Sequence, residues 1–193
     1  MSKLFVISGS SGVGKGTLIK EFLKKHPDFK LSVSCTTRQP REGEVHGINY
    51  FYLTREEFQA CIERDEFLEW AEFSGNMYGT QKAYVQEKLA LGKNMILEID
   101  TKGALNVKKI MPEANLIFIL PPSFEELEAR LRGRHTESEE AIQKRLNSTK
   151  LEKENSKHFD YQVVNDNIDN AVKKLEEIML GWFFYPPQII VVD

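Results

Sequence analysis

The sequence has 193 residues, of which 41% are hydrophobic and 28% are charged, and its formal net charge is -3 at pH 7. This length suits one well-filled core that carries small inserted subdomains, and the composition is that of an ordinary globular protein. The composition argues against a disordered or nucleic-acid-coating chain, so we expect no nucleic-acid partner, and anionic ligands must be held by local positive charge.

The first residues predict neither export nor membrane insertion. The N-terminus MSKLFVISG is apolar for only five residues before a glycine, which is too short for a signal peptide or a membrane span. The only cysteines, Cys35 and Cys61, are far apart in the sequence, which disfavours a zinc site or a disulfide framework. We therefore expect a cytoplasmic protein without a membrane partner.

Short apolar runs predict the strands of a parallel sheet. Each run precedes a segment of helical periodicity, and the runs lack polar alternation, which indicates strands covered on both faces. The runs are Leu4 to Ser8, Met95 to Ile99, Leu116 to Leu120 and Tyr161 to Val164. The sequence therefore predicts an α/β fold with three layers, in which helices cover both faces of a central parallel sheet.

A glycine-rich segment follows the first of these runs. It matches the pattern G-x-x-x-x-G-K and precedes a helical stretch, the context in which backbone N–H groups converge on phosphate oxygens. The helix N-terminus adds partial positive charge, and the lysine reaches the β- and γ-phosphates. This P-loop predicts that nucleoside triphosphate phosphates bind at Gly9, Ser10, Ser11, Gly12, Val13, Gly14, Lys15, Gly16 and Thr17.

The loop departs from the usual pattern directly after Lys15. Gly16 stands where a serine or threonine usually serves Mg²⁺, and the hydroxyl follows at Thr17. We expect Mg²⁺ as the cofactor, with Thr17 either a metal ligand or a phosphate ligand that leaves the ion mostly to water and nucleotide. Glu98 and Asp100, at the end of the second strand, are candidates for the outer shell of the metal.

The residue pattern changes between the first predicted helix and the second predicted strand. Ser32 to Ser34, Asn49 to Leu53 and Phe67 to Phe73 predict short strands. Thr54 and Glu57 have capping-box spacing and predict the start of a small helix among them. We predict an inserted lobe over residues 32–84.

A second interruption predicts a helical lid over residues 123–155. Ser123 with Glu126, and Thr136 with Glu139, each have capping-box spacing and flank an arginine-rich turn. The core then comprises residues 1–31, 85–122 and 156–180, all within one domain over residues 1–180. Residues 181–193 form an apolar tail of unknown role.

Several segments of the chain together carry a resemblance to a known family. The segments are the P-loop, Ser34 to Glu44 with Gly47 to Tyr50, Glu69 to Thr80, Glu98 to Asp100, Arg130 to Glu140 with Arg145, and Val164 to Asp166. They resemble the guanylate kinase family of nucleoside-monophosphate kinases. The resemblance implies a P-loop fold with an inserted GMP-binding lobe and a helical lid. It also implies ATP and GMP as substrates, with in-line transfer of the terminal phosphoryl group to GMP, and to dGMP, in the presence of Mg²⁺.

The resemblance assigns the phosphate of GMP to the lobe, and the residue chemistry agrees. Arg38 and Arg41 can fork onto a phosphate dianion, while Tyr50 and Tyr78 can each donate a hydroxyl to it.

The guanine base is assigned to further residues of the same segments. The carboxylate of Glu69 can accept hydrogen bonds from the adjacent N1–H and amine donors of guanine, and Glu72 is the alternative residue for this role. The hydroxyls of Ser34 and Thr80 can donate to the O6 acceptor. By the same resemblance Asp100 bridges the guanine or an arginine of the GMP site, and the predicted GMP set includes both Glu98 and Asp100. The sequence leaves open whether Asp100 serves the metal or the GMP site.

Positive charge must reach the transferring phosphate, and the resemblance assigns it to the lid. The predicted catalytic residues are Lys15, Arg38, Arg134 and Arg145, and the ATP site gains Arg130, Arg134 and Asn165. Asn165 and Asp166 are expected to border the adenine, although both are equally explicable as turn residues.

Two other functions remain open to test. Guanylate-kinase-like scaffolding modules bind peptides, but they typically lack the intact P-loop that this chain keeps. A kinase for another monophosphate, such as AMP or a pyrimidine nucleotide, is the nearer rival. The expected assembly is a monomer or a homodimer.

Overall fold

The computed structural model describes residues 2–133, 139–140, 142–143, 146–147 and 154–181. The strands in these ranges are Leu4–Gly9 (β1), Phe29–Leu31 (β2), Cys35–Thr36 (β3), Phe51–Tyr52 (β4), Phe67–Phe73 (β5), Asn76–Gln81 (β6), Asn94–Glu98 (β7), Asn115–Leu120 (β8) and Tyr161–Val164 (β9). The helices are Lys15–Lys25 (α1), Arg55–Glu63 (α2), Lys82–Ala90 (α3), Thr101–Ile110 (α4), Phe124–Arg132 (α5) and Ile168–Leu180 (α6), with a short 3-10 helix at Ser156–His158.

A parallel sheet forms the centre of the described fold. Its strand order is β2-β7-β1-β8-β9, and every neighbouring pair is parallel. In β1, Phe5 and Ile7 face one hydrophobic cluster, whereas Leu4 and Val6 face the other. Burial of both faces explains the unbroken apolar runs, and the predicted parallel α/β fold is confirmed.

Helices cover both faces of this sheet. On one face, α1 contributes Leu18 and Phe22, and α6 contributes Val172 and Leu175. On the other face, α3 contributes Val85 and α4 contributes Ala104 and Val107. Because parallel strands end at one edge, the loops after β1, β7, β8 and β9 all meet at the carboxyl edge of the sheet.

The segment between β2 and α3 builds a second sheet with a core of its own. Its strand order is β4-β3-β6-β5, with β3 and β4 parallel and the other pairs antiparallel. Helix α2 packs on it and begins with the predicted capping box, in which Thr54 and Glu57 bond reciprocally. The core residues are Cys35, Phe58, Cys61, Phe67 and Met77.

Two strand predictions need correction. The strand expected at Ser32 to Ser34 is wrong, because Phe29–Leu31 pairs with β7 in the main sheet and the next strand starts at Cys35. Of Asn49 to Leu53, only Phe51–Tyr52 is a strand. Asn76–Gln81 was missed because its polar residues and glycine carry no apolar pattern, and pairing with β5 determines its conformation.

The region predicted to form a lid, residues 123–155, is described only in part. Ser123 caps α5 by accepting from the backbone N–H of Glu126 at 3.1 Å, whereas Thr136 lies outside the described residues. Leu127 and Leu131 pack with Ile142 and Leu146 in a small cluster. In the described part of the chain, no helix is long and apolar enough to cross a membrane.

Candidate active site

The P-loop runs from the end of β1 into α1. It needs glycine at positions where a side chain would not fit. Gly9 has φ +145°, and a Cβ there would lie 2.4 Å from the carbonyl oxygen of Ile119 on β8. Gly14 has φ +95° and is the N-cap of α1, where its lack of a side chain leaves the helix N-terminus without a side-chain cap. The loop thus presents backbone N–H groups and the positive end of a helix dipole.

Lys15 lies over this loop. Its ammonium donates to the carbonyl oxygens of Gly9, at 2.6 Å, and Ser10, at 3.2 Å. Within the same loop Ser10 and Val13 are buried, whereas Gly16 and Thr17 are more accessible. The lysine side chain is therefore held against the first two residues of the loop.

Glu98, the last residue of β7, places a carboxylate beside the loop. A Cβ at Gly16 would lie 3.8 Å from both carboxylate oxygens of Glu98. Desolvation by the surrounding protein raises the pKa of Glu98 above its ordinary value, while the charge of Lys15 opposes the shift. The charge of Glu98 is also a small contribution to the raised pKa of Tyr50, which is caused mainly by burial.

Glu69 and Thr80 form a buried polar pair on the second sheet. The register of β5 and β6 sets them directly opposite each other, and Thr80 Oγ1 donates to Glu69 Oε1 at 2.7 Å. Burial raises the pKa of Glu69 to about 7; the hydrogen bond from Thr80 opposes this shift and the charge of Asp100 adds to it. Glu69 is 8% exposed, whereas Glu72, the alternative reader, is an exposed residue further along the strand.

Asp100 lies on the Glu69 side of the site. Its Oδ1 accepts from the backbone N–H of Gly103 at 2.7 Å, which makes Asp100 the N-cap of α4. A Cβ at Gly103 would lie 3.0 Å from Glu69 Oε2 and 3.4 Å from Asp100 Oδ1. Glu98 and Asp100 are only two residues apart in the sequence. Glu98 nevertheless faces the P-loop, whereas Asp100 lies beside the Glu69–Thr80 pair.

A second group gathers around Arg38. Its guanidinium donates to the carboxylate of Glu44 and lies over the ring of Tyr50, with Cζ 5.4 Å from the ring centroid. Tyr50 and Tyr78 have ring centroids 6.1 Å apart, and burial followed by the charge of Tyr78 raises the pKa of Tyr50. The raised pKa keeps the Tyr50 hydroxyl protonated, so that it can donate a hydrogen bond near Arg38.

Glu44, which was not among the predicted site residues, connects several groups around Arg38. It accepts from the backbone N–H of Arg41 at 2.8 Å and from the hydroxyl of Tyr52 at 2.8 Å, besides holding Arg38. The available signal was a single acidic residue six positions after Arg38, which does not distinguish a partner from a solvated charge. Ser34 directly precedes β3, where its carbonyl accepts from the N–H of Phe51 at 2.9 Å.

Comparison with known proteins decides the family. Residues 1–181 match the family model for guanylate kinase. The chain belongs to the guanylate kinase family. It is 52% identical over 176 residues to a guanylate kinase of Prochlorococcus marinus, covering 91% of this chain and 96% of the relative.

Further relatives and a solved structure agree with this family. The chain is 52% identical over 178 residues to a guanylate kinase of Desulfitobacterium hafniense, covering 92% of this chain and 89% of that one. The crystal structure of guanylate kinase from Anaplasma phagocytophilum superposes with a TM-score of 0.74 at 29% identity, covering 95% of this chain and 87% of that chain. The guanylate kinase resemblance is therefore confirmed over most of the chain.

Some predicted residues of the guanylate kinase site lie outside the described ranges. These are Arg134 and Arg145, together with the side chain of Arg130, whose backbone belongs to α5. Asn165 is described, and its amide contacts the backbone of the P-loop rather than solvent. The lid arginines therefore remain predictions from the resemblance.

Proposed function

We propose that this chain transfers the γ-phosphoryl group of ATP to GMP, and to dGMP, to yield ADP and the corresponding diphosphate. The observation that carries the proposal is the convergence of two sites at the carboxyl end of β7. Glu98 faces a loop built for phosphates, and Asp100 faces a buried Glu69–Thr80 pair suited to a guanine edge. Membership of the guanylate kinase family supports the same reaction.

ATP is placed on the P-loop in this proposal. Backbone N–H groups between Gly9 and Thr17 and the N-terminus of α1 bind the β- and γ-phosphates. Lys15, whose ammonium lies 2.6 Å from the Gly9 carbonyl, exchanges that contact for phosphate oxygens. Its charge then neutralises the group in transit.

GMP is placed against the second sheet. Arg38 and Arg41 bind its phosphate, and Tyr50 and Tyr78 donate hydroxyls to it. The ionised carboxylate of Glu69 accepts from the N1–H and amine of guanine, and Thr80 and Ser34 serve O6. Adenine presents no such pair of donors, so a buried carboxylate here selects for guanine.

Mg²⁺ fits the proposal as an ion delivered with the nucleotide. Among the described residues, no group of three or more acidic, histidine or cysteine side chains could form a protein-only cage. Mg²⁺ usually binds one or two carboxylates with phosphates and water, and Glu98 beside Gly16 offers one such carboxylate. Glu98 through water, and the Thr17 hydroxyl, would hold the ion, which would supply positive charge to neutralise the phosphates during transfer.

The residues contribute positioning and charge to the transfer step. The attacking oxygen of GMP is already anionic, so no general base is required. Arg134 and Arg145 are proposed to bring further positive charge, and one arginine at a transferring phosphoryl group is worth about 10³ to 10⁵ in rate.

A product analysis tests the proposal. Purified protein is incubated with ATP, GMP and Mg²⁺, and the nucleotides are separated by chromatography. We expect ADP and GDP in equal amounts. Loss of ATP with release of inorganic phosphate and no GDP would contradict the proposal, and absence of any turnover would favour a peptide-binding module.

We propose that the protein acts as a monomer or a homodimer. Light scattering, which measures its mass in solution, distinguishes the two. The apolar segment 181–193 is a candidate either for packing on the body of the same chain or for a contact between two copies. If the original protein is a dimer and a chain ending at Leu180 is a monomer, this segment makes the dimer contact. If the oligomeric state is unchanged and the shortened chain is less stable, the segment packs on the body of the same chain.

A further inference from the structure

Asn165 lies at the carboxyl edge of the sheet, directly after β9. It is 5% exposed, and its backbone N–H donates to the carbonyl oxygen of Leu120 at 2.8 Å, which ties it to the neighbouring strand β8. Its side-chain Nδ2 donates to the carbonyl oxygen of Val13 at 2.7 Å, across 152 residues of sequence. A residue fixed to the sheet therefore bonds directly to the backbone of the P-loop.

This bond determines the orientation of one peptide group of the loop. The peptide that joins Val13 to Gly14 is planar, and its carbonyl and N–H point in opposite directions. Since the carbonyl of Val13 is directed at Asn165, the N–H of Gly14 is directed away from Asn165. Val13 itself is fully buried in the core beneath the loop, which leaves this peptide little freedom to rotate.

A second observation joins Asn165 to the same place. A Cβ at Gly14 would lie 2.7 Å from Asn165 Nδ2, closer than real Cβ contacts allow. Gly14 also has φ +95°, a conformation that L side chains rarely adopt. The third glycine of the motif is thus required both by its own backbone and by the close approach of Asn165.

We propose that Asn165 is a positioning residue for the P-loop: by holding the Val13 carbonyl, it directs the Gly14 N–H toward the phosphates of ATP. The inference rests on the proposed function, because it takes the loop to be the ATP site. It assigns Asn165 to the backbone of the loop instead of to the adenine. Asn165 acts through Val13 and Gly14.

Calorimetry with two variants and one matched control tests the proposal. Asn165→Ala removes the donor, and Asn165→Asp keeps the shape but sets a carboxylate oxygen against the Val13 carbonyl. Asn167→Ala, two residues further on, removes the side-chain cap of α6, which accepts from the N–H of Asp169 at 2.8 Å. The dissociation constants of ATP and GMP are measured for each protein, with thermal unfolding as a check of folding.

We expect Asn165→Ala to weaken ATP binding about tenfold and Asn165→Asp to weaken it further, with GMP binding within about twofold of the original protein. The amide resonance of Gly14 should move in both variants and stay in place in Asn167→Ala. Unchanged ATP affinity in Asn165→Ala, or equal losses of ATP and GMP affinity, would overturn the proposal.

The proposed function and this inference fail in different ways. If the original protein binds ATP but makes no GDP, the proposed reaction is wrong, while the ATP affinities of the variants still report on the loop. If GDP is made and Asn165→Ala binds ATP normally, the reaction stands and the positioning role is wrong. If both Asn165 variants lose their folded structure while Asn167→Ala keeps it, Asn165 is a general structural residue and the proposal is overturned.

Discussion

Nη2 of Arg38 donates to both carboxylate oxygens of Glu44, at 2.9 Å each. Glu44 also accepts from the N–H of Arg41 and the hydroxyl of Tyr52, so one carboxylate connects both arginines of the proposed phosphate site. The hydrogen bond from Arg38 is the main cause that lowers the pKa of Glu44 to about 2. Glu44 therefore stays ionised at any pH at which the protein would be assayed.

We expect Glu44→Gln to weaken GMP binding about tenfold, because the amide cannot hold the Arg38 guanidinium by two acceptors. Binding of guanosine, which lacks the phosphate, should change by less than about twofold. Glu42→Gln, at an exposed neighbouring position, is the matched control and should bind GMP normally. Tighter GMP binding in Glu44→Gln, measured by calorimetry, would instead make Glu44 a competitor of the phosphate.

Replacing Lys15 should separate catalysis from GMP binding. We expect Lys15→Ala to lower the rate of GDP formation by at least about 10³, because the charge at the transferring phosphoryl group is lost. GMP affinity should persist, since Lys15 contacts the P-loop rather than the second sheet. Lys24→Ala, at an exposed site of the same helix, is the control. An equal loss of GMP affinity in Lys15→Ala would show that the two sites are misassigned.

The pKa of Glu69 predicts a pH dependence of GMP binding. Its raised pKa, about 7, means that the carboxylate is protonated in much of the free protein below neutrality. Guanine donors need the ionised form, so GMP affinity should fall as the pH falls from 8 to 6. The phosphate of GMP titrates near pH 6 as well, so Glu69→Gln serves as the control for that second titration. A profile that Glu69→Gln leaves unchanged would contradict the assignment.

The raised pKa of Glu69 also predicts how the stability of the protein without ligands depends on pH. The pKa of Glu69 rises on folding from its ordinary value near 4.5 to about 7, so folding favours the protonated form. The free energy of unfolding should therefore fall as the pH rises from about 4.5 to 7, by up to about 3 kcal/mol from this residue. In urea titrations across this range, the free energy of unfolding of the original protein should fall relative to that of Glu69→Gln as the pH rises. Matching slopes would argue against the shift.

The capping box of α2 predicts a change in stability without a change in chemistry. The Thr54 side chain accepts from the N–H of Glu57 at 3.1 Å, and Glu57 bonds back to the N–H of Thr54 at 2.7 Å. We expect Thr54→Ala to lower the free energy of unfolding by about 1 kcal/mol. Gln59→Ala, exposed on the same helix, should change it by less than about 0.5 kcal/mol. Thermal melts of the two variants compare the effects.

The sequence predicts the main sheet well because burial on both faces leaves an unambiguous pattern. The run at Tyr161 to Val164 is β9 with the same bounds, and the run at Met95 to Ile99 is β7 shifted by one residue. Phe29–Leu31 and Asn76–Gln81 carry no such pattern, since a three-residue edge strand and a polar strand depend on pairing with distant residues. Tertiary context, rather than local preference, determines those two.

The candidate site shows a similar division. The P-loop and its lysine are readable because glycine positions and a helix start are local features. The separate directions of Glu98 and Asp100, and the contact between Asn165 and Val13, depend on how β7 and β9 end beside other elements. Spacing in sequence contains no information on such contacts. Arg134 and Arg145 remain predictions, because they lie outside the described residues.

The choice of base tests the central claim most directly. Initial rates of ADP formation are measured with ATP and Mg²⁺ and with GMP or AMP as the acceptor, and kcat/KM is compared. We expect GMP to be preferred by roughly 10⁴, because AMP would leave the buried Glu69 carboxylate without donors. Comparable values for the two acceptors, or a preference for AMP, would contradict the assignment of the Glu69–Thr80 pocket to guanine.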